Sequence, residues 1–254
     1  MNVGEKSEVY LKAYLLREKD KNQKNTIFQK ITQLSDDENL SELTWTDKAE
    51  KYLDTYDVEN LKKELSIGKS STLSKSDITI NSVNYSIKEV NANPPSIINH
   101  TNRLGFERVC KVLAIDIRTF DKIISDYWQK RMKGIITEDV INSNSKVSPF
   151  YNHKEYLRPI INYFLFTGTG SKKSEFPADY ILELDYKKLP ESLKILKKSE
   201  YFDDIWNRLQ ISVRSKKGMP KKYPNCKEYD SISKWTKKWQ GAYRGALSIR
   251  VRKK

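Results

Sequence analysis

The sequence predicts an α/β (α+β) protein with a mixed central β-sheet flanked by helices. Two patterns indicate this class, because apolar residues recur at helical spacing in some segments and alternate with polar residues in others. Segments of the two kinds follow one another along the chain, as they do in folds that pack helices against a mixed sheet. No internal repeat or long low-complexity segment interrupts this order.

The first quarter of the chain is predicted to be mainly helical. Residues 4–22 have the pattern of an amphipathic helix, with an apolar stripe that includes Val9 and Leu16 between charged residues. Residues 26–34 have the pattern of a short strand. Residues 40–65 are predicted to contain one or two helices.

A glycine- and serine-rich segment at 66–76 then predicts a loop or connector. The elements predicted after it are a β-hairpin at 77–90, helices at 106–113 and 119–133, a helix beginning near 155, and strands at 176–185, 209–214 and 245–254. Pro94 and Pro95 break the strand pattern after the hairpin, so the segment 98–103 is predicted to be a loop close to the hairpin.

The length of 254 residues is typical of one large domain, so a single domain over residues 1–254 is predicted. Cys110 and Cys226 are the two cysteines, too few for a disulfide framework or a cysteine-rich zinc site. The N-terminal sequence has no apolar signal core, and no run of about 18 apolar residues occurs. We therefore expect a cytoplasmic protein without a membrane span.

The positive charge is concentrated in the last quarter of the chain. The formal net charge is +14; residues 1–186 hold 27 basic and 27 acidic residues, whereas residues 187–254 hold 20 basic and 6 acidic ones. A localised basic field indicates a polyanionic partner, most commonly nucleic acid, although a solvated basic surface would have the same composition. A membrane-surface helix fits less well, because glycine and prolines interrupt the segment at Gly218, Pro220 and Pro224.

The hairpin at 77–90 combines residues suited to phosphodiester hydrolysis. Ser86 and Lys88 lie two apart on one strand and so share a face, while Ile87 lies on the other face. Asp77 begins the preceding strand, and the short turn brings it beside them. A carboxylate can hold a divalent cation that activates water, and a lysine can stabilise charge on phosphorus or help to orient water. An edge strand with a solvated polar face and a protective lysine is the alternative.

These residues resemble the core of the PD-(D/E)XK nuclease superfamily, in which an aspartate precedes a short hairpin that carries the catalytic lysine. The spacing of Gly4 and Glu8 is similar to the first-helix motif of many members. The run "YSIKEVNANPPSIINHTNRLGF" resembles type II restriction endonucleases, and so do "GTGSKKSEFPAD" and "GALSIRVRK". The resemblance implies a restriction-endonuclease-like core over residues 1–254, with 1–186 holding the catalytic part and 187–254 contributing DNA contacts.

The resemblance implies specific roles for the hairpin residues. Asp77 matches the metal-binding aspartate and Lys88 the catalytic lysine. Ser86 stands where the family usually has Asp or Glu, which removes one expected ligand for Mg²⁺. Glu8 is the first candidate to replace that ligand and Glu107 the second.

Two other acidic residues are weaker candidates for the missing ligand. Glu5 lies with Glu8 on one face of the first helix, where the helix dipole alone would favour either carboxylate. Glu89 has the opposite strand parity to Lys88 and should point away from the site. Which carboxylate supplies the missing ligand remains open.

Polar and basic side chains near the hairpin and in the last quarter are candidate DNA contacts, because such side chains bind phosphates and base edges. The predicted contacts are Asn99, His100, Thr101, Asn102, Arg103, Arg214, Lys216, Lys217, Lys221, Lys222, Arg250 and Arg252. A cap-rich turn and a solvated loop are the respective alternatives for residues 98–103 and 214–224.

The leading hypothesis is a type II restriction endonuclease, a Mg²⁺-dependent, sequence-specific deoxyribonuclease that acts on double-stranded DNA. A homodimer would match a palindromic target. No nucleotide cofactor is expected, because "GTGSKKS" and "GKSS" lack the full phosphate-binding pattern. With His100 and His153 as the two histidines, a zinc hydrolase is disfavoured. A structure-specific repair or recombination nuclease, a non-catalytic DNA-binding protein and a basic RNA-binding module remain alternatives.

Overall fold

A computed structural model describes residues 1–21, 27, 31, 44–68, 74–80, 82–91, 96–138, 140–214 and 246–252. The chain divides into two compact units, each formed by two separate segments. The first unit comprises Met1–Asn93 and Ser174–Tyr201, and the second comprises Pro94–Lys173 and Phe202–Lys254. None of the described helices is long and apolar enough to cross a membrane.

The described residues form seven α-helices and eight strands. In chain order, the helices α1 to α7 are Val3–Asp20, Asp47–Asp54, Val58–Glu64, Arg103–Val112, Ile117–Met132, Lys154–Asn162 and Lys198–Trp206. The strands β1 to β8 are Ile78–Ile80, Val83–Glu89, Ser96–Thr101, Val140–Asn142, Tyr180–Leu184, Lys194–Lys197, Leu209–Arg214 and Ala246–Val251. A π-helical turn at Tyr163–Thr167 follows α6, and 3₁₀ turns lie at Tyr151–His153 and Tyr186–Lys188.

The described part of the first unit packs α1, α2 and α3 with a four-stranded sheet of order β1-β2-β5-β6. Strands β2 and β5 are parallel, and the other two neighbouring pairs are antiparallel. Helix α1 begins with a capping box, in which the Asn2 side chain accepts from the Glu5 backbone N–H and the Glu5 side chain accepts from the Asn2 backbone N–H. Such caps satisfy backbone donors that the first helical turn leaves without partners.

The core of the first unit lies between the apolar stripe of α1 and one face of this sheet. From the sheet it includes Tyr85, Ile87, Leu182 and Leu184, and from α1 it includes Leu11, Leu15 and their neighbours. Strand parity then requires that Ser86 and Lys88 lie on the opposite face of β2. The apolar alternation of β2 therefore fixes which face carries the polar residues.

The second unit contains an antiparallel sheet of order β3-β8-β7-β4. An isoleucine row crosses all four strands, since Ile98 pairs with Ile249, Ile249 with Ile211, and Ile211 with Ile141. All four of these isoleucines are buried. The residues on either side of this row along the strands lie on the opposite face of the sheet.

The predicted α/β class is confirmed, but the described residues form two four-stranded sheets instead of one central sheet. The hairpin and the strands at 180–184, 209–214 and 246–251 are confirmed. Whether residues 1–254 form a single domain is not tested by the division into units, so that statement stays a prediction.

Two local predictions are wrong. Residues 96–101 form strand β3 instead of lying in a loop, because β8 supplies backbone partners that no local pattern reveals. Ile27 and Ile31, within the predicted strand 26–34, are helical and fully buried. Their spacing of four residues places them on one face of a helix. The β-branched isoleucines made the segment look like a strand.

Candidate active site

The hairpin brings Asp77, Ser86 and Lys88 into one hydrogen-bonded chain. The Lys88 Nζ donates to the Ser86 Oγ at 2.7 Å. The Ser86 Oγ donates to the Asp77 Oδ2 at 3.1 Å, and the same carboxylate oxygen accepts from the Ile87 backbone N–H at 2.6 Å. The structure therefore brings together the three hairpin residues that the sequence singles out.

Backbone pairing explains why these side chains meet. Ile78 pairs with Tyr85 in the antiparallel register of β1 and β2, so Asp77 comes beside Ser86. The Asp77 N–H donates to the Tyr85 carbonyl at 2.8 Å, which extends the pairing past the end of β1. The carboxylate is thus held by main-chain geometry as well as by Ser86.

Ser86 links a carboxylate and an ammonium because its hydroxyl both donates and accepts. It donates its proton towards Asp77 and accepts from Lys88, and its residue is 2% exposed. A carboxylate at this position could accept from Lys88 but could not donate to Asp77. The serine therefore fits this arrangement in a way that Asp or Glu does not.

Glu183 is a further acidic residue beside the hairpin. It pairs with Lys88 in the parallel register of β2 and β5, so the two side chains share a face of the sheet. Glu183 is 6% exposed, so its carboxylate is largely withdrawn from solvent. Its position in an otherwise apolar strand was a signal in the sequence, but the register that joins it to Lys88 was not.

Lys75 is a second lysine near these side chains, and the sequence patterns do not identify it. We name Lys75, Asp77, Ser86, Lys88 and Glu183 the hairpin cluster. Its backbone N–H donates to the Ser174 Oγ at 2.9 Å and to the Phe176 carbonyl at 3.1 Å. The pKa of Lys75 is lowered to about 8, mainly by burial and also by the nearby Lys88 ammonium, while the Asp77 carboxylate opposes the change. Lys75 therefore lies within electrostatic reach of Asp77 and Lys88.

The structure places Glu8 and Glu5 on α1. Glu8 is buried and forms an ion pair with Lys12 at 2.6 Å. Helix α1 packs on the sheet face that carries Tyr85 and Ile87, opposite in parity to Ser86. Glu5 serves the capping box.

The remaining two candidate ligands also have defined partners. Glu89 points away from Lys88, as its parity predicts, because its carboxylate accepts from the Ser7 Oγ at 2.6 Å and the Tyr186 N–H at 3.2 Å. Glu107 belongs to α4 of the second unit, where it accepts from Arg103 at 3.2 Å.

The residues available for a divalent cation are few. The described part of the chain contains no group of three or more His, Cys, Asp or Glu side chains placed to hold a metal ion. The predicted set of Asp77, Glu8 and Glu107 is therefore not assembled as such a group. Asp77 and Glu183 are two carboxylates on the face of the sheet that carries Ser86 and Lys88. Mg²⁺ is commonly held by one or two protein carboxylates together with substrate phosphate and water.

No family model, curated protein or solved structure matches the chain. The geometry and chemistry of the hairpin cluster are therefore the basis on which a function can be assigned.

The predicted DNA contacts at 99–103 occupy different environments in the second unit. Asn99 and His100 are exposed on β3. The Asn102 side chain caps α4 by accepting from the Gly105 N–H at 3.0 Å. Arg103 forms a two-pronged pair with Asp121, at 2.9 Å for both donors. The structural partners of Asn102 and Arg103 account for these two residues without DNA.

Thr101 also has a structural role, because its methyl group packs against Gly105 and Gly170 where these two glycines come close together. A Cβ at either glycine would lie under 3.0 Å from the Thr101 Cγ2. The residue at 101 is therefore constrained by packing.

The basic candidates of the last quarter are only partly described. Arg250 is exposed on β8, and Arg252 is exposed just after it, with its backbone N–H donating to the Arg208 carbonyl at 2.7 Å. Arg214 is the last residue of β7. Lys216, Lys217, Lys221 and Lys222 lie outside the described residues.

Proposed function

We propose that the protein is a Mg²⁺-dependent endonuclease of the restriction type that hydrolyses phosphodiester bonds in double-stranded DNA. The observation that carries this proposal is the hydrogen-bonded chain of Asp77, Ser86 and Lys88 beside the buried Glu183. An acidic pair next to a fixed lysine suits a reaction in which negative charge develops on a phosphate.

Each residue of the cluster has a role in that reaction. Asp77 and Glu183 would hold the cation, which supplies polarisation of the phosphate and activation of water. Lys88 stabilises the charge that develops on the phosphate oxygens. Ser86 holds the Lys88 ammonium in place by accepting a hydrogen bond from it.

The charges of the cluster make DNA part of the binding site. Two carboxylates, Asp77 and Glu183, stand beside two ammonium groups, Lys75 and Lys88, so the cluster has little net charge. A doubly charged cation gains little from a neutral cluster. A bound DNA phosphate adds the negative charge that would hold the cation, so cation and DNA binding reinforce each other.

The basic last quarter supports DNA as the substrate. With 20 basic and 6 acidic residues at 187–254, this part of the chain attracts a polyanion. A homodimer would present two such clusters to the two strands of a palindromic site, which is the arrangement we propose.

The test is incubation of the full chain with phage DNA and Mg²⁺. Discrete fragments are expected from the wild type, and none from Lys88→Met or Asp77→Asn. Lys48→Met is the matched control, because Lys48 is an exposed lysine on α2. Cleavage only at junctions or flaps would favour the structure-specific nuclease instead.

A non-catalytic DNA-binding protein is the competing function. It is favoured by the lack of a group of three or more ligand side chains among the described residues. Tight DNA binding with no cleavage in Mg²⁺ or Mn²⁺ would establish it and would overturn the nuclease proposal.

A further inference from the structure

One face of the β3-β8-β7-β4 sheet carries rows of polar side chains. Arg250 pairs with Ser96 of β3 on one side and with Gln210 of β7 on the other. Gln210 in turn pairs with Asn142 of β4. Because paired residues on neighbouring strands point to the same face, these four side chains form a row across the whole sheet.

A second polar row lies beside the first on the same face. Ser248 of β8 pairs with Ser212 of β7, two residues along from the Arg250 pair. The register of β3 shifts between Ile98 and Thr101, and His100 there has a φ of 43°. The His100 N–H donates to the Ser248 Oγ at 3.0 Å.

This bulge turns an exposed histidine towards the polar rows. A bulge re-aims the side chains of the strand that carries it, and a positive φ is uncommon for a residue other than glycine. The exposed Asn99 lies in the same bulge. We name Ser96, His100, Asn142, Gln210 and Arg250 the polar sheet face; Ser248 is buried and accepts the His100 N–H.

The charged residues of these four strands are all basic. The four strands, all within the described residues, contain two arginines and no Asp or Glu. Arg250 is exposed, and no carboxylate of the described residues forms an ion pair with it. A sheet whose charged residues are arginines complements a polyanion.

The side chains also indicate which form of nucleic acid fits. Proteins that bind single strands stack bases on aromatic rings, and the four strands contain no Phe, Tyr or Trp. Arginine, glutamine and asparagine are instead the side chains that bind phosphates and base edges of duplex DNA. Sheets are known to enter duplex grooves with such residues.

We infer that the polar sheet face of the second unit is a docking surface for duplex DNA, with Arg250 on a phosphate and Gln210 at base edges. The inference goes beyond the proposed catalytic function, because it concerns binding and holds even if the hairpin cluster does not cleave DNA. Its failure and that of the nuclease proposal are therefore separable.

The experiment measures the affinity of the full-length Asp77→Asn protein for a labelled duplex by fluorescence anisotropy. Titrations are repeated from about 50 to 200 mM salt, a range over which phosphate contacts lose affinity strongly. Arg250→Ala, Arg250→Gln, Arg250→Lys and Gln210→Ala are compared with Arg118→Ala. Arg118, whose side chain is 83% exposed on α5, is a control for the loss of one positive charge. Circular dichroism checks that each variant folds.

Arg250→Ala should weaken duplex binding at least fivefold beyond Arg118→Ala and reduce the salt slope by about one. Arg250→Lys should keep that slope. Arg250→Gln, which removes the charge but keeps a long polar side chain, should reduce it by about one, which preserves the test if the alanine variant does not fold. Gln210→Ala should reduce the preference among duplex sequences with the slope unchanged.

Three results would overturn the inference. The first is an Arg250→Ala variant that matches Arg118→Ala. The second is no duplex binding by the parent protein. The third is binding of single-stranded DNA or of RNA more tightly than duplex with the same dependence on Arg250, which would assign the surface to that ligand.

Discussion

Replacement of Ser86 by alanine removes the hydroxyl that joins Lys88 to Asp77. The hydroxyl takes part in hydrogen bonds of 2.7 Å and 3.1 Å, each to a charged group. Such a bond is worth about 1.5–3 kcal/mol, and about 1.4 kcal/mol corresponds to a tenfold change in rate. If the position of Lys88 depends on one of them, Ser86→Ala should lower kcat/KM by about 10- to 150-fold.

Ser86→Asp has a different expected effect. It places a second carboxylate against Asp77, which gives the cluster a net negative charge in the absence of DNA. The variant should therefore bind Mg²⁺ or Ca²⁺ more tightly than the wild type when no DNA is present. Ser86→Ala should leave that affinity almost unchanged, because Ser86 is not a proposed ligand.

Single-turnover cleavage of a labelled duplex and calorimetric titration with Ca²⁺ measure these two effects. The reasoning would be refuted if Ser86→Ala cleaved as fast as the Lys48→Met control. It would also fail if Ser86→Asp bound the cation no better than the wild type. Near-ultraviolet circular dichroism distinguishes these outcomes from a loss of structure.

Three further predictions concern stability and the hairpin cluster. Asp203 accepts from Arg158 at 2.7 Å and Lys154 at 2.7 Å, which lowers the pKa of Asp203 below its usual value. A lowered pKa in the folded state stabilises the protein above the unfolded pKa of about 3.9, and this stability is lost as the pH falls further. Asp203→Asn should therefore lower the Tm at pH 7 and have less effect in strong acid; equal effects at both pH values in calorimetry would contradict this. Gly105→Ala should destabilise by about 1–3 kcal/mol in urea unfolding, because its Cβ would lie 2.6 Å from the Thr101 methyl and 3.3 Å from Gly170. Gly68→Ala, with nothing within 4 Å, is the control, and Thr101→Ser should rescue part of the loss. Lys75→Met should strengthen Ca²⁺ binding by the protein without DNA, since it removes a positive charge near Asp77, and an unchanged calorimetric affinity would contradict that placement.

The hairpin cluster could be predicted because its geometry is local. Strand parity places Ser86 and Lys88 together and sends Glu89 to the other face, and a short turn brings Asp77 alongside. The contribution of Glu183 could not be predicted, because the parallel register joins residues 95 positions apart. Nothing in the chain between them specifies that register.

The errors in the predicted fold have the same origin. Pro94 and Pro95 indicated a loop after the hairpin, but β3 begins at Ser96 because β8, near the other end of the chain, pairs with it. The same distant pairing divides the strands between two sheets. Local patterns do not contain the pairing partners, so they predicted the elements better than the sheets.

The central claim is that Lys88 and Asp77 act on a DNA phosphate, and a crystal structure with duplex DNA and Ca²⁺ tests it most directly. The measured quantity is the distance from the Lys88 Nζ to the nearest phosphate oxygen. We predict about 3 Å, with Ca²⁺ bound to Asp77 and Glu183 and to the same phosphate. Duplex DNA bound with no phosphate or cation at Asp77 would contradict the account.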